Sequence, residues 1–566
     1  MGEKALEMLR SVNVVLWGPW TLYMLLGAGI LFSVWTKFSQ FRILTHGVAV
    51  IRGRYDDPSH PGAISHFQAL SAALSGTIGL GNIGGVALAV AMGGPGAIFW
   101  MWTVGICGMA LKAVEITLAM LYRNTDDPDN PHGGAMWVID KTLGVRGRGW
   151  RILAKVLGGF FCISLLIWTM IGAVMFQAWN VAELTNTYFG VPQLGTGIVL
   201  AIIVALVIVG GIKRIGRVAG QLVPIMCILY ILSALAVLAL HVDEIPTMLL
   251  LIVKGAFTPT APVGAFAGGS AMLAFSAGLK RAFFSNEAGT GSAPIAHAAA
   301  KTNEPAREGI VGGMGPFVDT IVVCTMTALV IMATGTWNRE PLGPLKGHVR
   351  LEQTDEGLRL IAPTDAAALP DVPSWDAYQP GSSVFFAVTV ADDKEPTIHK
   401  RANLYGRLAA GSSGKVERIE WDEPSANTHW LRRTDGTEDT RIFRDYKGAS
   451  LTSHAFDQAF PGLGKWMVTI AASLFAVSTM ITWSYYGEQC TFYMLGGRGT
   501  LYYKLILLAL VVVGAVAVKT DKQLGILLDF GTGWALWANM VIVLLMSRTA
   551  VRSLLDYFRR LDAKQF

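Results

Sequence analysis

Apolar residues along this chain come in long blocks rather than in the short stripes of a soluble fold. Eleven blocks stand out, near 12–35, 69–92, 96–121, 156–186, 194–211, 216–240, 262–284, 308–335, 464–488, 501–518 and 525–547. Most approach the roughly 20 residues that carry an α-helix across a bilayer. The pattern predicts an all-α polytopic membrane protein with about 11 transmembrane helices.

Two blocks are broken by glycine where a helix should run on. One reads Leu74-Ser-Gly-Thr-Ile-Gly-Leu-Gly-Asn-Ile-Gly-Gly-Val86, the other Gly264-Ala-Phe-Ala-Gly-Gly-Ser-Ala-Met272. Irregular backbone persists in a bilayer only against protein or a wet cavity, since lipid satisfies no amide or carbonyl. With the first block set aside, the remaining ten fall into two groups of five, each opening on a glycine break. An odd group size makes the two groups cross the membrane in opposite senses, the arithmetic of an inverted repeat with a substrate site at its breaks.

Residues 337–460 interrupt this pattern. They contain β-prone runs such as Ser383-Val-Phe-Phe-Ala-Val-Thr-Val390 and Lys415-Val-Glu-Arg-Ile-Glu-Trp421 between Pro, Gly and Asp clusters, which predicts a small, mostly β insert. Membrane segments 1–336 and 461–566 flank it. Charge divides the same way. The insert holds 15 Lys/Arg and 19 Asp/Glu out of 46 and 40 in the chain, so the membrane part alone carries the basic excess. Those basic residues cluster in alternate loops, such as Arg42, Arg52 and Arg54, then Arg146, Arg148 and Arg151, and finally Arg552, Arg559 and Arg560. The positive-inside rule then places the N-terminus and the insert outside and the C-terminus in the cytoplasm. This distribution gives no reason to expect a nucleic-acid partner. The five cysteines all lie in or at the ends of apolar blocks and lack metal-ligand spacing, which excludes a disulfide scaffold and a zinc site.

Candidate chemistry gathers at the breaks. A helix that stops near Gly76–Gly81 frees carbonyls that favour a cation and amides that favour a carboxylate, with Asn82 beside them to donate and accept; the alternative is that Gly76, Gly79, Gly81, Gly84 and Gly85 serve only close helix packing. Gln177 lies one turn from Asn180, and Ser478 and Thr479 offer hydroxyl oxygens to a hard cation. Bonding to the helix's own preceding turn is the alternative for those hydroxyls, and Trp483 is either a pocket wall or plain packing. Ionisable residues inside spans carry a functional hypothesis. Lys112 and Glu115 are spaced as a self-neutralising pair, whereas Asp319 has no local partner and either couples a cation or proton or caps a polar network near the inner mouth. Arg281, Asn286 and Glu287 follow the second break and read either as a cytoplasmic gate or as a loop anchor.

Several strings carry a resemblance: Gly76-Thr-Ile-Gly-Leu-Gly-Asn-Ile-Gly-Gly-Val86, Gly93-Gly-Pro-Gly-Ala-Ile-Phe-Trp-Met-Trp102, Phe284-Ser-Asn-Glu-Ala-Gly-Thr-Gly-Ser-Ala-Pro-Ile-Ala296, Asp319-Thr-Ile-Val-Val-Cys-Thr-Met-Thr-Ala328 and Trp483-Ser-Tyr-Tyr-Gly-Glu488. Together the membrane part resembles the alanine or glycine:cation symporter family; the insert is not covered. The resemblance implies a leucine-transporter-type fold of two inverted five-helix repeats. It also implies uptake of alanine, glycine or similar small amino acids coupled to sodium, or in some members to protons. On the motif match, Asn82, Gln177 and Trp483 line the substrate site, which Phe266, Gly268, Gly269 and Ser270 close, and Gly79, Ser478 and Thr479 hold sodium. Leu80, Trp179 and Ser276 stand where the family has Thr, Asn and Arg. The resulting expectation is a secondary symporter in a bacterial plasma membrane, without enzymatic cofactor. Its partners are a small amino acid, the lipid bilayer and an unidentified partner for the insert. A membrane enzyme would need converging acid and base groups, and a channel would need rings of ligands. Neither pattern is present.

Overall fold

The fate of each backbone hydrogen bond explains the first helices. Ser65 accepts from the Gln68 amide while the Gln68 side chain accepts from the Ser65 amide, a capping box that starts the first half of the glycine-broken span. That half runs only to Thr77, and Ile78 is extended, with ψ of 96°.

The computed structural model describes residues 3–566 apart from 356, 374–376, 379, 392–398, 412–414, 434, 447 and 519–520. In chain order the helices are α1 (Glu3–Leu16), α2 (Pro19–Trp35), α3 (Gln40–Ile51), α4 (His66–Thr77), α5 (Val86–Gly93), α6 (Gly96–Leu121), α7 (Ala135–Thr142), α8 (Arg148–Trp168), α9 (Phe176–Phe189) and α10 (Gln193–Ile208). There follow α11 (Gly211–Leu240), α12 (Ile245–Phe257), α13 (Ala271–Asn286), α14 (Ala293–His297), α15 (Pro305–Gly313), α16 (Thr325–Ala333), α17 (Ala449–Ala459), α18 (Gly464–Leu495), α19 (Gly497–Ala517) and α20 (Asp521–Asp562). Wide π turns at Gly81–Gly85, Thr169–Met175 and Phe317–Cys324 lead into α5, α9 and α16, and such turns often mark functional sites.

Among the described residues eight helices are long and apolar enough to cross a membrane. The pair His66–Thr77 and Gly81–Gly93, bent by 55°, makes a ninth. Their outward faces stay apolar: Leu206 on α10 and Leu232 on α11 are each 60% exposed. Bands of exposed aliphatic side chains are tolerated where lipid is the solvent. The chain is a multi-pass membrane protein.

The structure relocates the second break. Residues 258–270, expected to interrupt a span at Gly264–Met272, form a loop at the insert end of the molecule. There Ala265 donates to Arg339 O (2.9 Å), and Arg401 donates to Gly264 O. Beyond this loop α13 runs unbroken from Ala271 to Asn286. The interruption facing the first one is Glu287–Ser292, where Glu287, Gly289 and Gly291 all have left-handed φ (55°, 88° and 84°). The Phe284 ring, at the end of α13, sits 3.4 Å from where a Cβ on Gly81 would lie, so the two interruptions face each other.

Among the described residues, eight strands lie between α16 and α17: β1 (Gly343–Pro344), β2 (Arg350–Thr354), β3 (Gly357–Ile361), β4 (Ser383–Ala391), β5 (His399–Ala410), β6 (Val416–Trp421), β7 (Thr428–Trp430) and β8 (Arg441–Asp445). They form one antiparallel sheet in the order β1-β8-β4-β5-β6, with β7 on the same edge of β4 as β8, and a separate β2–β3 hairpin. Strand β4 is buried on both faces over Ser383–Val388, which is why Val384–Val388 is a continuous apolar run. Val384, Phe386 and Val388 enter the sheet's own core, while Phe385 and Ala387 pack with Phe443 against Ala265 of the membrane part. Residues 449–459, read from sequence as the end of the insert, form α17, which packs against the first break. Its Ala449 amide sits 2.9 Å from where a Cβ on Gly84 would lie, and Thr452 Oγ1 donates to Ile83 O (3.1 Å).

Candidate functional site

Where α4 stops, its last carbonyls need donors, and α18 supplies them. Trp483 Nε1 donates to Gly76 O (3.2 Å) and Ser478 Oγ to Ser75 O (3.3 Å), while Ser75 Oγ donates back to Ser478 O (2.7 Å). Trp483 is therefore more than an apolar wall: its indole N–H caps the broken helix and its ring lies 4.3 Å from that of Trp168.

Asn82 replaces the helical bonds lost on the other side. Its Oδ1 accepts from Gly79 N (2.9 Å), and its Nδ2 donates to Asp319 Oδ1 (2.5 Å) and to Ser285 Oγ (3.1 Å). Its carbonyl accepts from Thr327 Oγ1 (2.8 Å), which pairs with Tyr230. Asp319, which lacked a partner in the sequence, thus has three, because Ser285 Oγ and Thr320 Oγ1 also donate to it (both 2.9 Å).

Around Gly76 and Gly79 the polar accounting does not close. Gln177 Oε1, Thr479 Oγ1, Thr482 Oγ1 and Tyr486 Oη are buried without a hydrogen-bond partner. They surround one strip of backbone. A Cβ on Gly79 would lie 3.0 Å from Thr479 Oγ1 and 3.6 Å from Gln177 Nε2; one on Gly76 would lie 3.2 Å from Thr482 Cγ2 and 3.4 Å from Tyr486 Oη. Buried oxygens left unpaired are costly, and such a cluster beside a helix interruption is suited to a polar ligand.

The structure therefore gathers Gly79, Asn82, Gln177, Ser478, Thr479 and Trp483 at one place. It does not bring Phe266, Gly268, Gly269 or Ser270 to them. The Phe266 ring lies 3.0 Å from where a Cβ on Gly94 would sit, at the far end of α5 from Asn82, and it packs on Trp337. Asn180 bonds its own helix, at Phe176 O, and the Trp179 ring packs on Phe176 (6.1 Å). Sequence reasoning missed Thr482 and Tyr486. Their signal was spacing: 479, 482, 483 and 486 recur at helical period on one face of α18.

Of the gate candidates Arg281, Asn286 and Glu287, the last two are at most 4% exposed. Asn286 and Glu287 are buried at the second break, where Asn286 Oδ1 accepts from Ala288 N and Ser292 Oγ donates to Glu287 Oε2 (2.6 Å). Arg281 faces Asp529. Lys112 and Glu115 do not bond each other either. Lys112 Nζ donates to Asn286 O (2.7 Å), and Glu115 accepts from Gly289 N, Gly291 N and Asn539 Nδ2. At the end of the molecule opposite the insert, Glu308 of α15 joins His66 of α4 to His297 of α14, the latter at 2.5 Å. Arg123 there donates to the carbonyls of Pro61, Ala298, Ala300 and Thr302.

A family model described as the sodium:alanine symporter family matches residues 3–354 and 434–565. The chain is 35% identical over 511 residues to the sodium/alanine symporter AgcS of Methanococcus maripaludis, covering 90% of this chain and 88% of that one. It is 31% identical over 562 residues to an uncharacterized transporter of Haemophilus influenzae, covering 99% and 98%.

Proposed function

Because the chain belongs to the sodium:alanine symporter family, whose members are transporters rather than enzymes, we propose that it couples sodium influx to uptake of a small neutral amino acid such as alanine or glycine. The observation that carries this reading is the set of unpartnered buried oxygens on Gln177, Thr479, Thr482 and Tyr486 around the interrupted backbone of Gly76–Gly79.

Sodium takes oxygen ligands from the Gly79 backbone, Ser478 and Thr479. The amino acid lies between Asn82, Gln177, Thr482, Trp483 and Tyr486. The narrow approach of Thr482 and Tyr486 to Gly76 supports a small side chain over a bulky one. Two five-helix groups, α4/α5 to α11 and α13/α14 to α20, each open on an interrupted helix, which supports an inverted repeat rocking about a central site. Joint binding of ion and substrate favours closure and then exposure to the other side. The distribution of Lys and Arg supports an N-terminus and insert outside and a cytoplasmic C-terminus.

The test is uptake of radiolabelled alanine and glycine into liposomes holding the purified protein, driven by an inward sodium gradient with potassium as control. The expected result is sodium-driven accumulation that falls at least tenfold in Asn82→Ala and Thr479→Ala. Gradient-independent uptake, or full activity in both variants, overturns the reading.

A further inference from the structure

The buried polar centre around the second break holds more negative charge than positive. Glu115, Glu287 and Asp319 are at most 4% exposed, Lys112 is 2% exposed, and Lys112 is the cation that faces all three carboxylates. Three carboxylates against one ammonium leave two negative charges uncompensated in the middle of a membrane protein. Buried charge of that kind is paired or neutralised, by a proton where no cation sits.

Hydrogen bonding separates the three carboxylates. Glu115 accepts from two backbone amides and the Asn539 amide, donors that cannot become acceptors, so its surroundings suit the ionised form alone. Asp319 accepts from the Asn82 amide at Oδ1 in the same one-way sense, and two hydroxyls, of Ser285 and Thr320, donate to its Oδ2, so three donors hold it as a carboxylate. Glu287 differs. Its one side-chain hydrogen bond among the described residues is with the Ser292 hydroxyl, itself bonded to the Thr290 hydroxyl. Hydroxyls donate or accept, so this partner serves a carboxylate and a carboxylic acid equally.

A second, independent feature faces the same group. The Tyr486 hydroxyl is fully buried, lacks a hydrogen-bond partner and lies within electrostatic reach of Glu287. It also borders Gly76 in the substrate site. Glu287 itself is held in a left-handed backbone conformation that non-glycine residues rarely adopt.

We propose that Glu287 is a reversible proton site in the transport cycle. The proton supplies one of the two missing positive charges, and the co-transported sodium near Gly79 supplies the other. On release, the carboxylic O–H bond breaks, its electron pair stays on Glu287, and the proton passes to water on whichever side the site is open. The Tyr486 hydroxyl then donates to the freed carboxylate. Asn82 links the two charges, since one end of its amide holds Gly79 N and the other Asp319. This inference rests on the symport reading and adds a proton to it.

The experiment measures proton exchange by the purified full-length protein in weakly buffered detergent solution with a pH-sensitive dye. Sodium and alanine are added, and sodium-dependent alanine binding is followed in parallel. The wild type is expected to exchange about one proton per chain on binding. Glu287→Gln is expected to exchange none, and its alanine binding loses its pH dependence. A wild type that binds alanine with sodium yet exchanges no proton overturns the proposal, as does a Glu287→Gln variant that keeps the proton. Should Glu287→Gln fail to fold, Ser292→Ala and Tyr486→Phe decide: the pH midpoint of wild-type exchange must shift in at least one, and an unmoved midpoint in both overturns the proposal. Absence of any sodium-dependent alanine binding instead removes the symport reading on which it rests.

Discussion

At Gly79 the missing side chain acts as a distance: without it, the Thr479 hydroxyl reaches the backbone of the interrupted helix. A Cβ there would lie 3.0 Å from Thr479 Oγ1, closer than ordinary van der Waals contact, and α18 is held to α4 by three further hydrogen bonds. The hydroxyl therefore has to turn away. Gly79→Ala is expected to raise the sodium concentration needed for half-maximal alanine uptake by at least tenfold, about 1.4 kcal/mol or more, with little loss of thermal stability. Gly27→Ala, where nothing lies within 4 Å of the added carbon, is the control and should leave the sodium dependence unmoved. At this scale part of the candidate site was legible in the sequence, the first break with Asn82, Gln177 and Trp483, and part was not, since Phe266, Gly268, Gly269 and Ser270 lie elsewhere. Five glycines crowded around an asparagine inside one apolar run are more than helix packing asks for, so Gly79 and Asn82 announced themselves, as did adjacent Ser478 and Thr479. Thr482 and Tyr486 did not, because a hydroxyl within a helix looks the same whether it bonds its own turn, as Thr491 does to Gly487 O, or bonds nothing.

Two elements show why an interruption is harder to read than a residue. The second break was sought among apolar glycines at 264–272, since hydropathy marks a span by its lack of polar groups. The interruption at Glu287–Ser292 is polar, its groups satisfied by Glu115, Asn539 and Lys112 from elements far apart in sequence, and that pairing is invisible to any local window. Helix α17 is the second case: it sits among insert residues yet belongs to the packing around the first break. It also carries a pH-sensitive group. His454 stacks on Tyr446 with centroids 4.1 Å apart and pairs with Gln458 Nε2. Burial, with help from the Arg339 and Arg444 guanidinium groups, pushes its pKa from 6.5 down to about 3. An unfolded α17 binds the proton near pH 6.5 and the packed one only near 3. Between those values the unpacked form holds more protons and packing weakens as pH falls, by up to about 1.4 kcal/mol per pH unit. Amide protection factors across 449–459, taken against the intrinsic exchange rate at each pH, should fall on going from neutral to mildly acidic pH, and His454→Gln should flatten that dependence. Equal protection of wild type at both pH values would count against the assignment.

For the whole molecule, charge and patterning separated a membrane part from a β-rich insert, but the way the two are joined was not legible, because it depends on contacts across the chain. The sheet leaves and re-enters through paired neighbours, with Pro344 opposite Arg441 and Gly343 opposite Ile442. The family model, moreover, leaves 355–433 unmatched. An Asn-Gly turn replacing residues 345–440 therefore converts β1 and β8 into a hairpin of favoured geometry without straining α16 or α17. What it removes is specific: the Arg401 bond to Gly264 O and the Phe385 contact with Ala265, which together hold the loop leading into α13. None of the residues around Gly76–Gly79 is touched. The shortened protein is expected to retain sodium-driven alanine uptake with an unchanged half-saturating alanine concentration, while residues 258–270 exchange amide hydrogens faster than in the full chain. If a folded, shortened protein loses sodium-driven uptake, the sheet takes part in the transport cycle itself. If instead loop 258–270 stays as protected as before, the contacts at Gly264 and Ala265 do not restrain it.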